Sequence, residues 1–346
     1  MDTAAAAQAF HEHGLSPSDT QALGESLGPR LREQCGGSLG EIHWFRADWQ
    51  RGGAATGFAT WDLGSGRTID AMVKVPVGHR EWYWTSGLGR PGDGSWNGAA
   101  ALGLPTPRVL ASGESLGGYD LAWIVIERLL GPPLSRKRSR EGLEGLVRAT
   151  AEFQGRCAGV KAVDEAPSAQ DWHGLVRQSR DAVHRGDCPD EQQWNEALKR
   201  VGRHLDGIVT RWRARPAGWW CHGDVHPANA LRRACGGGAT RFVIIDLALV
   251  HAGHWIEDAL YLERQHWGHE EFLFGVEPVA SLAKARRELG LDVDEGFERW
   301  ADLRRVLTAA AAPGLIGVEG NARYLRGALG VLTRLVKRAP DLLGSE

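Results

Sequence analysis

Three polar side chains in the second half of the chain have the types and the spacing needed for chemistry on a phosphorylated compound. Asp224 lies in the segment CHGDVHPAN, which ends at Asn229, and Asp246 directly follows the apolar run at positions 242–245. Such a run is typical of a buried strand. Metal-assisted phosphoryl transfer needs a base for the attacking hydroxyl and oxygen ligands for Mg²⁺. The spacing predicts this chemistry, with Asp224 as base and Asn229 and Asp246 on the metal.

The two carboxylates also predict the cofactor. Asp224 and Asp246 would repel a triphosphate unless a divalent cation lay between them, so we expect a nucleoside triphosphate with Mg²⁺. The alternative for Asp224 is a turn in which its carboxylate bonds its own backbone, and Gly223 and Pro227 favour a turn here. The presence of Asn229 and Asp246 in register favours the metal interpretation.

The pattern His-Gly-Asp-x-His-Pro-x-Asn, followed by Ile-Asp and then by Gly253 and Asp258, resembles the aminoglycoside phosphotransferase and choline kinase family. The fold of that family is similar to the fold of the eukaryotic protein kinases. The resemblance implies that Asp224 is the catalytic base and that Asn229 and Asp246 hold Mg²⁺. It also implies an ATP- and Mg²⁺-dependent kinase that phosphorylates a hydroxyl of a small molecule, such as an aminoglycoside, an amino sugar or a choline-like alcohol.

Other features of the motif region narrow these expectations. The chain has no Asp-Phe-Gly, no Ala-Pro-Glu and no arginine between His222 and Asp224, which disfavours a protein substrate. We expect structural roles for His222 and for Asp258, which would brace the catalytic loop. Relatives often have a histidine where this chain has Gln154, a change expected to affect packing. A catalytically silent, kinase-like module that binds nucleotide or a partner protein is the alternative, and retention of the base and both metal residues argues against it.

Composition limits the classes of partner and compartment. The formal net charge of −2 gives no reason to expect nucleic acid or an anionic membrane as a partner. The five cysteines are scattered without a Cys-x-x-Cys pair, which favours a reducing cytoplasm over a disulfide framework or a zinc site. No apolar stretch approaches the roughly 20 residues that span a bilayer. The N-terminus contains Asp2 and Glu12 and no basic leader, so we do not expect a signal peptide. The oligomeric state stays open.

The elements that must position the motif follow from the pattern along the chain. Short strand patterns between positions 41 and 127 and helical spacing thereafter indicate an α+β protein. With the resemblance, this becomes a bilobal protein kinase-like fold with a small antiparallel five-stranded N-lobe and a larger, mostly helical C-lobe. The expected bounds are a helical extension at 1–40, a nucleotide-binding N-lobe at 41–127, a hinge at 128–134 and a catalytic and substrate-binding C-lobe at 135–346.

Lys74 is the candidate for orienting the phosphates. In the strand at positions 69–75 the odd positions are apolar, so Met72 and Lys74 should share the other face. The resemblance implies that Lys74 pairs with a glutamate on the next helix, for which Glu81 is the best candidate. The alternative is a lysine on the solvated face of an edge strand. Gly52 and Gly53 lie in a loop of small residues whose backbone amides could cover the phosphates.

The end of the strand at positions 121–127, with the residues that follow it, resembles the hinge of the family. Backbone groups of Glu127 and Leu129 would then bind the edge of the adenine. The alternative is a buried strand that ends at the turn residue Gly131. Backbone recognition leaves little trace in the side chains, so the residue types do not separate the two.

The acceptor region is suggested only by local charge. Between positions 254 and 300 the chain has eleven Asp and Glu against five Lys and Arg. An acidic cleft concentrates cations, which favours a cationic alcohol as acceptor, while the alternative is a solvated helical face. The candidate contacts are the acids Glu257, Glu263, Glu270 and Glu271 and the stacking surfaces Trp255 and Trp267.

Overall fold

The computed structural model describes residues 17–45, 54–90, 102–316 and 321–338. Gly52 and Gly53, the predicted phosphate-covering glycines, lie outside the described residues. The chain forms two compact units. We call Met1–Lys137, Arg156–Ala162 and Pro227–Val250 the sheet unit, and Arg138–Gly155, Val163–His226 and His251–Glu346 the helical unit.

Nine strands occur in the described part of the chain. They are β1 (His43–Phe45), β2 (Ala55–Asp62), β3 (Thr68–Val75), β4 (Val109–Gly113), β5 (Trp123–Glu127), β6 (Trp219–Cys221), β7 (Ala230–Ala234), β8 (Thr240–Ile244) and β9 (His251–Gly253).

Ten α-helices occur there as well. They are α1 (Pro17–Gln34), α2 (His79–Leu88), α3 (Arg140–Val160), α4 (Trp172–His184), α5 (Glu191–Gly202), α6 (Leu205–Arg213), α7 (Ile256–Arg264), α8 (Pro278–Glu288), α9 (Phe297–Ile316) and α10 (Ala322–Val336). None of these helices combines the length and the apolar character needed to cross a membrane.

The sheet unit contains a five-stranded antiparallel sheet in the order β1-β2-β3-β5-β4. The predicted α+β class, with a five-stranded sheet followed by a helical region, is confirmed. In β3 the alternation acts as expected, because Ala71, Val73 and Val75 are fully buried while Met72 and Lys74 on the other face are only partly buried. The strand-like pattern at positions 104–110 is realised only at its end, because β4 begins at Val109.

Helix α1 covers one face of this sheet. Leu27 and Leu31 on the helix pack into a core with Val73 and Val125 from the central strands. The approach is close at Gly24, where an added Cβ would lie 2.8 Å from the Ala55 side chain. Burial of this apolar surface fixes the sheet whose far face presents Lys74.

A second, two-stranded sheet of the sheet unit carries the two predicted metal residues at its base. Strands β7 and β8 pair antiparallel from Ala230 opposite Ile244 to Ala234 opposite Thr240. The turn at positions 236–238 consists of three glycines, all with positive φ. Only glycine adopts this backbone at little cost, so the three residues suit the tight turn that joins β7 to β8.

The helical unit is built mainly from helices with one apolar face. Helix α9 packs against α4 and α10, and its run Ala309–Ala312 is almost fully buried. Small side chains allow helices to approach closely. The two-stranded sheet of β6 and β9 pairs Cys221 with His251, directly before the segment that contains Asp224.

Candidate functional site

The sheet unit pairs Lys74 on β3 with Glu81 on α2 in an ion pair. Glu81 is buried and the Lys74 side chain is 22% exposed. Burial lowers the pKa of the Lys74 amine, but the negative charges of Glu81 and Asp246 outweigh that effect and raise the pKa above its ordinary value. Lys74 is therefore a charged amine held in place by a carboxylate, with Asp246 close enough to act on it.

Asn229 and Asp246 occupy the two ends of the β7–β8 hairpin. Asn229 ends a 3₁₀ turn directly before β7, and Asp246 follows β8. The Ile245 amide donates to the Asn229 carbonyl over 2.9 Å. Asn229, directly before β7, and Asp246, shortly after β8, therefore lie at the same end of the hairpin. Asp246 has a left-handed backbone with φ of 67°, which aspartate tolerates better than most residues.

The donor set formed by these two side chains fits Mg²⁺ shared with a phosphate. No group of three or more His, Cys, Asp or Glu side chains that could hold a metal occurs in the described part of the chain. A protein-only cage is therefore not formed by those residue types there. Mg²⁺ commonly takes one or two protein oxygens and completes its shell with water and phosphate oxygens. One carboxylate and one amide, Asp246 and Asn229, match that requirement.

The end of β5 is more tightly held than the sequence indicates. Glu127 is 5% exposed, its amide donates to the Arg108 carbonyl over 2.9 Å, and its carboxylate accepts from Arg108 and Arg233. The next amide, that of Arg128, donates to the Asp70 carbonyl. The Leu129 amide has no hydrogen-bond partner among the described residues. The Glu127 amide is thus already engaged, whereas Leu129 keeps a donor.

The helical unit carries Asp224 directly after the short strand β6. The His226 Nε2 atom lies 3.4 Å from Asp224 Oδ2, and the Tyr261 hydroxyl donates to the same carboxylate. Burial raises the pKa of Asp224, but the hydrogen bonds from His226 and Tyr261 and the charge of His226 and His222 outweigh burial and lower it to about 2. Asp224 is therefore an ionised, partly exposed carboxylate at neutral pH, with oxygen atoms that can accept a hydrogen bond or a proton.

The backbone before Asp224 is held by Asp258 on α7. Asp258 is fully buried and accepts from the His222 amide over 3.0 Å and from the Gly223 amide over 2.9 Å. The His222 ring nitrogen Nδ1 accepts from the Asp224 amide over 3.2 Å. The His222 ring is thus bonded to the backbone of the same loop.

Gln154 connects this brace to a buried guanidinium. Its side-chain nitrogen donates to Asp258 over 2.9 Å and to the Trp255 carbonyl over 3.0 Å, and its oxygen accepts from Arg286 over 2.6 Å. The Arg286 guanidinium lies 3.9 Å from the ring centre of Trp219. Burial lowers the pKa of Arg286 to about 10, so the guanidinium remains charged at neutral pH.

The acids predicted to contact an acceptor have partners within the helical unit. Glu257 accepts from Arg215 over 2.9 Å, and both side chains are less than a tenth exposed. Glu263 forms a two-pronged pair with Arg305 at 2.6 Å and 2.7 Å. Glu270 accepts from a backbone amide, and Glu271 pairs with Arg323. The local surplus of acids is therefore largely compensated by arginines from other parts of the sequence.

The two tryptophans predicted as stacking surfaces are buried. Trp255 has no exposed surface, packs on Phe297 and donates from its indole to Asp294 over 2.9 Å. Trp267 is 4% exposed and stacks on Tyr324. Their surroundings are those of packing residues.

Three residues that contact or support candidate site residues had no signal in the sequence. They are Arg233 in the sheet unit and Tyr261 and Arg286 in the helical unit. Each acts on a residue far away along the chain, and none lies in a motif. Tyr261 belongs to an ordinary amphipathic helix, where the side chain that it meets depends on tertiary packing.

A family model described as "Phosphotransferase enzyme family" matches residues 98–313. No curated protein matches the chain.

Several solved structures are similar to the chain at low identity. Spectinomycin phosphotransferase APH(9)-Ia, in complex with ADP and spectinomycin, is 11% identical with a TM-score of 0.49, covering 91% of this chain and 97% of that one. An aminoglycoside phosphotransferase from Alicyclobacillus acidocaldarius is 14% identical with a TM-score of 0.48, covering 88% and 91%. Macrolide 2'-phosphotransferase MphH from Brachybacterium faecium is 17% identical with a TM-score of 0.43, covering 89% and 98%.

Proposed function

From the premise that this chain belongs to the phosphotransferase enzyme family, we propose that it transfers the γ-phosphoryl group of ATP to a hydroxyl of a small molecule with the help of Mg²⁺. One observation carries the proposal. Within the sheet unit, the Lys74 amine is fixed by Glu81 and lies in the field of Asp246, the carboxylate that leaves the hairpin beside Asn229. A fixed cation next to two hard oxygen donors suits a polyphosphate and its metal.

The proposed reaction assigns each side chain one task. Lys74 orients the phosphates, and Asn229 and Asp246 hold Mg²⁺. The metal, when bound, neutralises charge on the β- and γ-phosphate oxygens. The acceptor oxygen forms a bond to the γ-phosphorus while the bond from that phosphorus to the β–γ bridging oxygen breaks, which leaves ADP. The hydroxyl proton passes to the Asp224 carboxylate, whose low pKa keeps it ionised.

The acceptor class is proposed broadly as a small alcohol. The solved structures with similar folds include phosphotransferases named for spectinomycin and for macrolides, which are chemically unlike each other. Because Glu257, Glu263 and Glu271 already pair with arginines, a cationic acceptor is not favoured over a neutral one. The first panel therefore contains amino sugars, choline-like alcohols, neutral sugars, homoserine and macrolides.

The test combines turnover with binding on the full chain. ADP release and a phosphorylated product found by mass spectrometry should depend on one or more acceptors of the panel. Asp224→Asn should lower kcat by about 10²- to 10⁴-fold, the usual contribution of a general base, while ATP affinity stays within about twofold.

Asp206→Asn is the matched control, since that aspartate is 97% exposed and its ion pair within the described residues is with the half-exposed His173. The control should keep full turnover. If ATP binds but no panel member is phosphorylated, and Asp224→Asn equals the wild type in ADP release, the chain is a nucleotide-binding module without transferase activity.

A further inference from the structure

Arg233 on β7 is a buried arginine with every part of its guanidinium engaged. The residue is 2% exposed. Its Nε donates to Glu127 over 3.0 Å, its Nη1 donates to the Leu104 carbonyl over 2.6 Å, and its Nη2 donates to the Thr106 carbonyl over 2.7 Å and also to Glu127. A planar group held at several points has a fixed orientation as well as a fixed position.

Glu127 forms the other half of this contact, at the end of β5. It also accepts from the Arg108 backbone amide over 2.9 Å and from the Arg108 Nε over 2.6 Å. The Glu127 carboxylate therefore connects the end of β5 with the segment before β4 and with the β7–β8 hairpin. All of these residues belong to the sheet unit.

The position of Arg233 in the hairpin connects it with the metal residues. Strand β7 begins at Ala230, directly after Asn229, and Arg233 is opposite Arg241 in the ladder. The other strand of the same ladder leads to Asp246. A second tie, the Ile244 amide donating to the Pro105 carbonyl over 2.8 Å, fixes the base of the hairpin to the segment that Arg233 contacts.

We propose that Arg233 and Glu127 are positioning residues for the metal, because their contact fixes the hairpin that presents Asn229 and Asp246. The inference rests on the proposed function, since it takes these two residues as the Mg²⁺ ligands. Neither Arg233 nor Glu127 is expected to touch the metal. Their role is to keep the two oxygen donors at a constant separation and direction.

The burial of Arg233 and Glu127 as an ion pair favours a positioning role over a role in packing alone. Replacing a buried ion pair by well-packed apolar residues is often neutral or stabilising, so stability alone does not explain a buried arginine. Residues that orient metal ligands from outside the coordination shell typically contribute 10- to 100-fold in metal affinity, about the size of effect expected here.

The experiment measures Mn²⁺ binding to the full chain with ADP present, by electron paramagnetic resonance, and ADP binding without metal, by calorimetry. Arg233→Met should weaken Mn²⁺ binding by about 10-fold or more, while metal-free ADP affinity stays unchanged. Glu127→Gln combined with Arg233→Met removes the charge on both sides and leaves Arg108 an acceptor. This double variant should show the same loss in a well-folded protein. Arg233→Lys keeps the charge without the planar fork and should recover thermal stability more than Mn²⁺ affinity.

Arg232→Met is the matched control, because Arg232 is the neighbouring residue on the same strand and lies over the Phe242 ring. It should leave Mn²⁺ affinity unchanged. All affinities are referred to the folded fraction measured by circular dichroism. Mn²⁺ affinity of Arg233→Met and of the double variant equal to that of Arg232→Met overturns the inference.

Asp246→Asn separates this inference from the proposed function. If Asp246→Asn weakens Mn²⁺ binding while both Arg233 variants do not, only the positioning role is wrong. If Asp246→Asn itself leaves Mn²⁺ affinity unchanged, the metal assignment of the proposed function fails, and the positioning role fails with it.

Discussion

Gln154 donates a hydrogen bond of 2.9 Å to Asp258, a residue 104 positions later in the chain. The amide nitrogen has two protons and the amide oxygen accepts, so Gln154 also bonds the Trp255 carbonyl and Arg286. A neutral histidine has one donor and one acceptor and could not make all three bonds. Glutamine at this position can therefore bond the buried Arg286 while it also bonds Asp258 and the Trp255 carbonyl.

We expect Gln154→Ala to lower the free energy of unfolding by about 1–3 kcal/mol, because buried groups of Asp258 and Arg286 lose a partner. The looser brace should also lower kcat, since Asp258 holds the His222 and Gly223 amides before Asp224. Urea unfolding and steady-state kinetics check both effects. The exposed Gln192→Ala on α5 is the control, and kcat and stability of Gln154→Ala equal to those of that control would contradict the prediction.

Tyr261→Phe should raise the pKa of Asp224 above about 2, since the hydroxyl that donates to the carboxylate is lost. The folded-state pKa of Asp224 lies below its ordinary value of 3.8, so its stabilising contribution is present above that pH and is lost as the pH falls toward 2. The free energy of unfolding of Tyr261→Phe should therefore fall less over this range than that of the wild type. Carbon-13 NMR of the carboxyl group measures the pKa directly, and an unchanged value would rule out the hydrogen bond in solution.

Arg215→Met should destabilise the protein by about 3–5 kcal/mol, because it removes the buried arginine that pairs with the buried Glu257 carboxylate. Both side chains are less than a tenth exposed. Arg326→Met is the comparison, since Arg326 pairs with Asp190 but is 61% exposed, and exposed pairs contribute about 0–1 kcal/mol. Thermal and urea unfolding give both values, and similar losses in the two variants would show that burial does not govern these pairs.

Two glycines of α10 should respond in opposite directions to alanine. A Cβ on Gly327 would lie 2.1 Å from the Gly268 amide nitrogen, a backbone atom that cannot move easily, whereas a Cβ on Gly330 meets nothing within 4 Å. Gly327→Ala should destabilise by about 1–3 kcal/mol through overpacking, and Gly330→Ala should stabilise by up to about 1 kcal/mol through helix propensity. Equal shifts of Tm in the two variants would exclude the close contact with Gly268.

The features that the sequence predicted depend on local regularity. Alternation along β3 identified the face of Lys74, and the apolar run before Asp246 identified β8. The three consecutive glycines at positions 236–238 are typical of a tight turn, and the structure has positive φ at each of them. Period and turn chemistry are properties of a few neighbouring residues, so they can be recognised without the rest of the chain.

The features that the sequence did not predict depend on partners from distant positions. The charge count between positions 254 and 300 suggested an acidic cleft, but Glu257 meets Arg215 and Glu263 meets Arg305, each 42 residues away. Glu127 was considered for its backbone, and its side chain instead holds Arg233, 106 residues later. No local pattern contains these pairings, because tertiary packing selects them.

The sheet unit consists of three separate stretches of the chain, the last of which ends at Val250. During synthesis, Glu127 therefore emerges from the ribosome more than a hundred residues before Arg233. Of the two arginines that pair with this glutamate in the folded protein, Arg108 is present from the start and Arg233 arrives later. The order of translation thus makes completion of the sheet unit a late event, and a fragment that stops at Lys137 would lack the hairpin altogether.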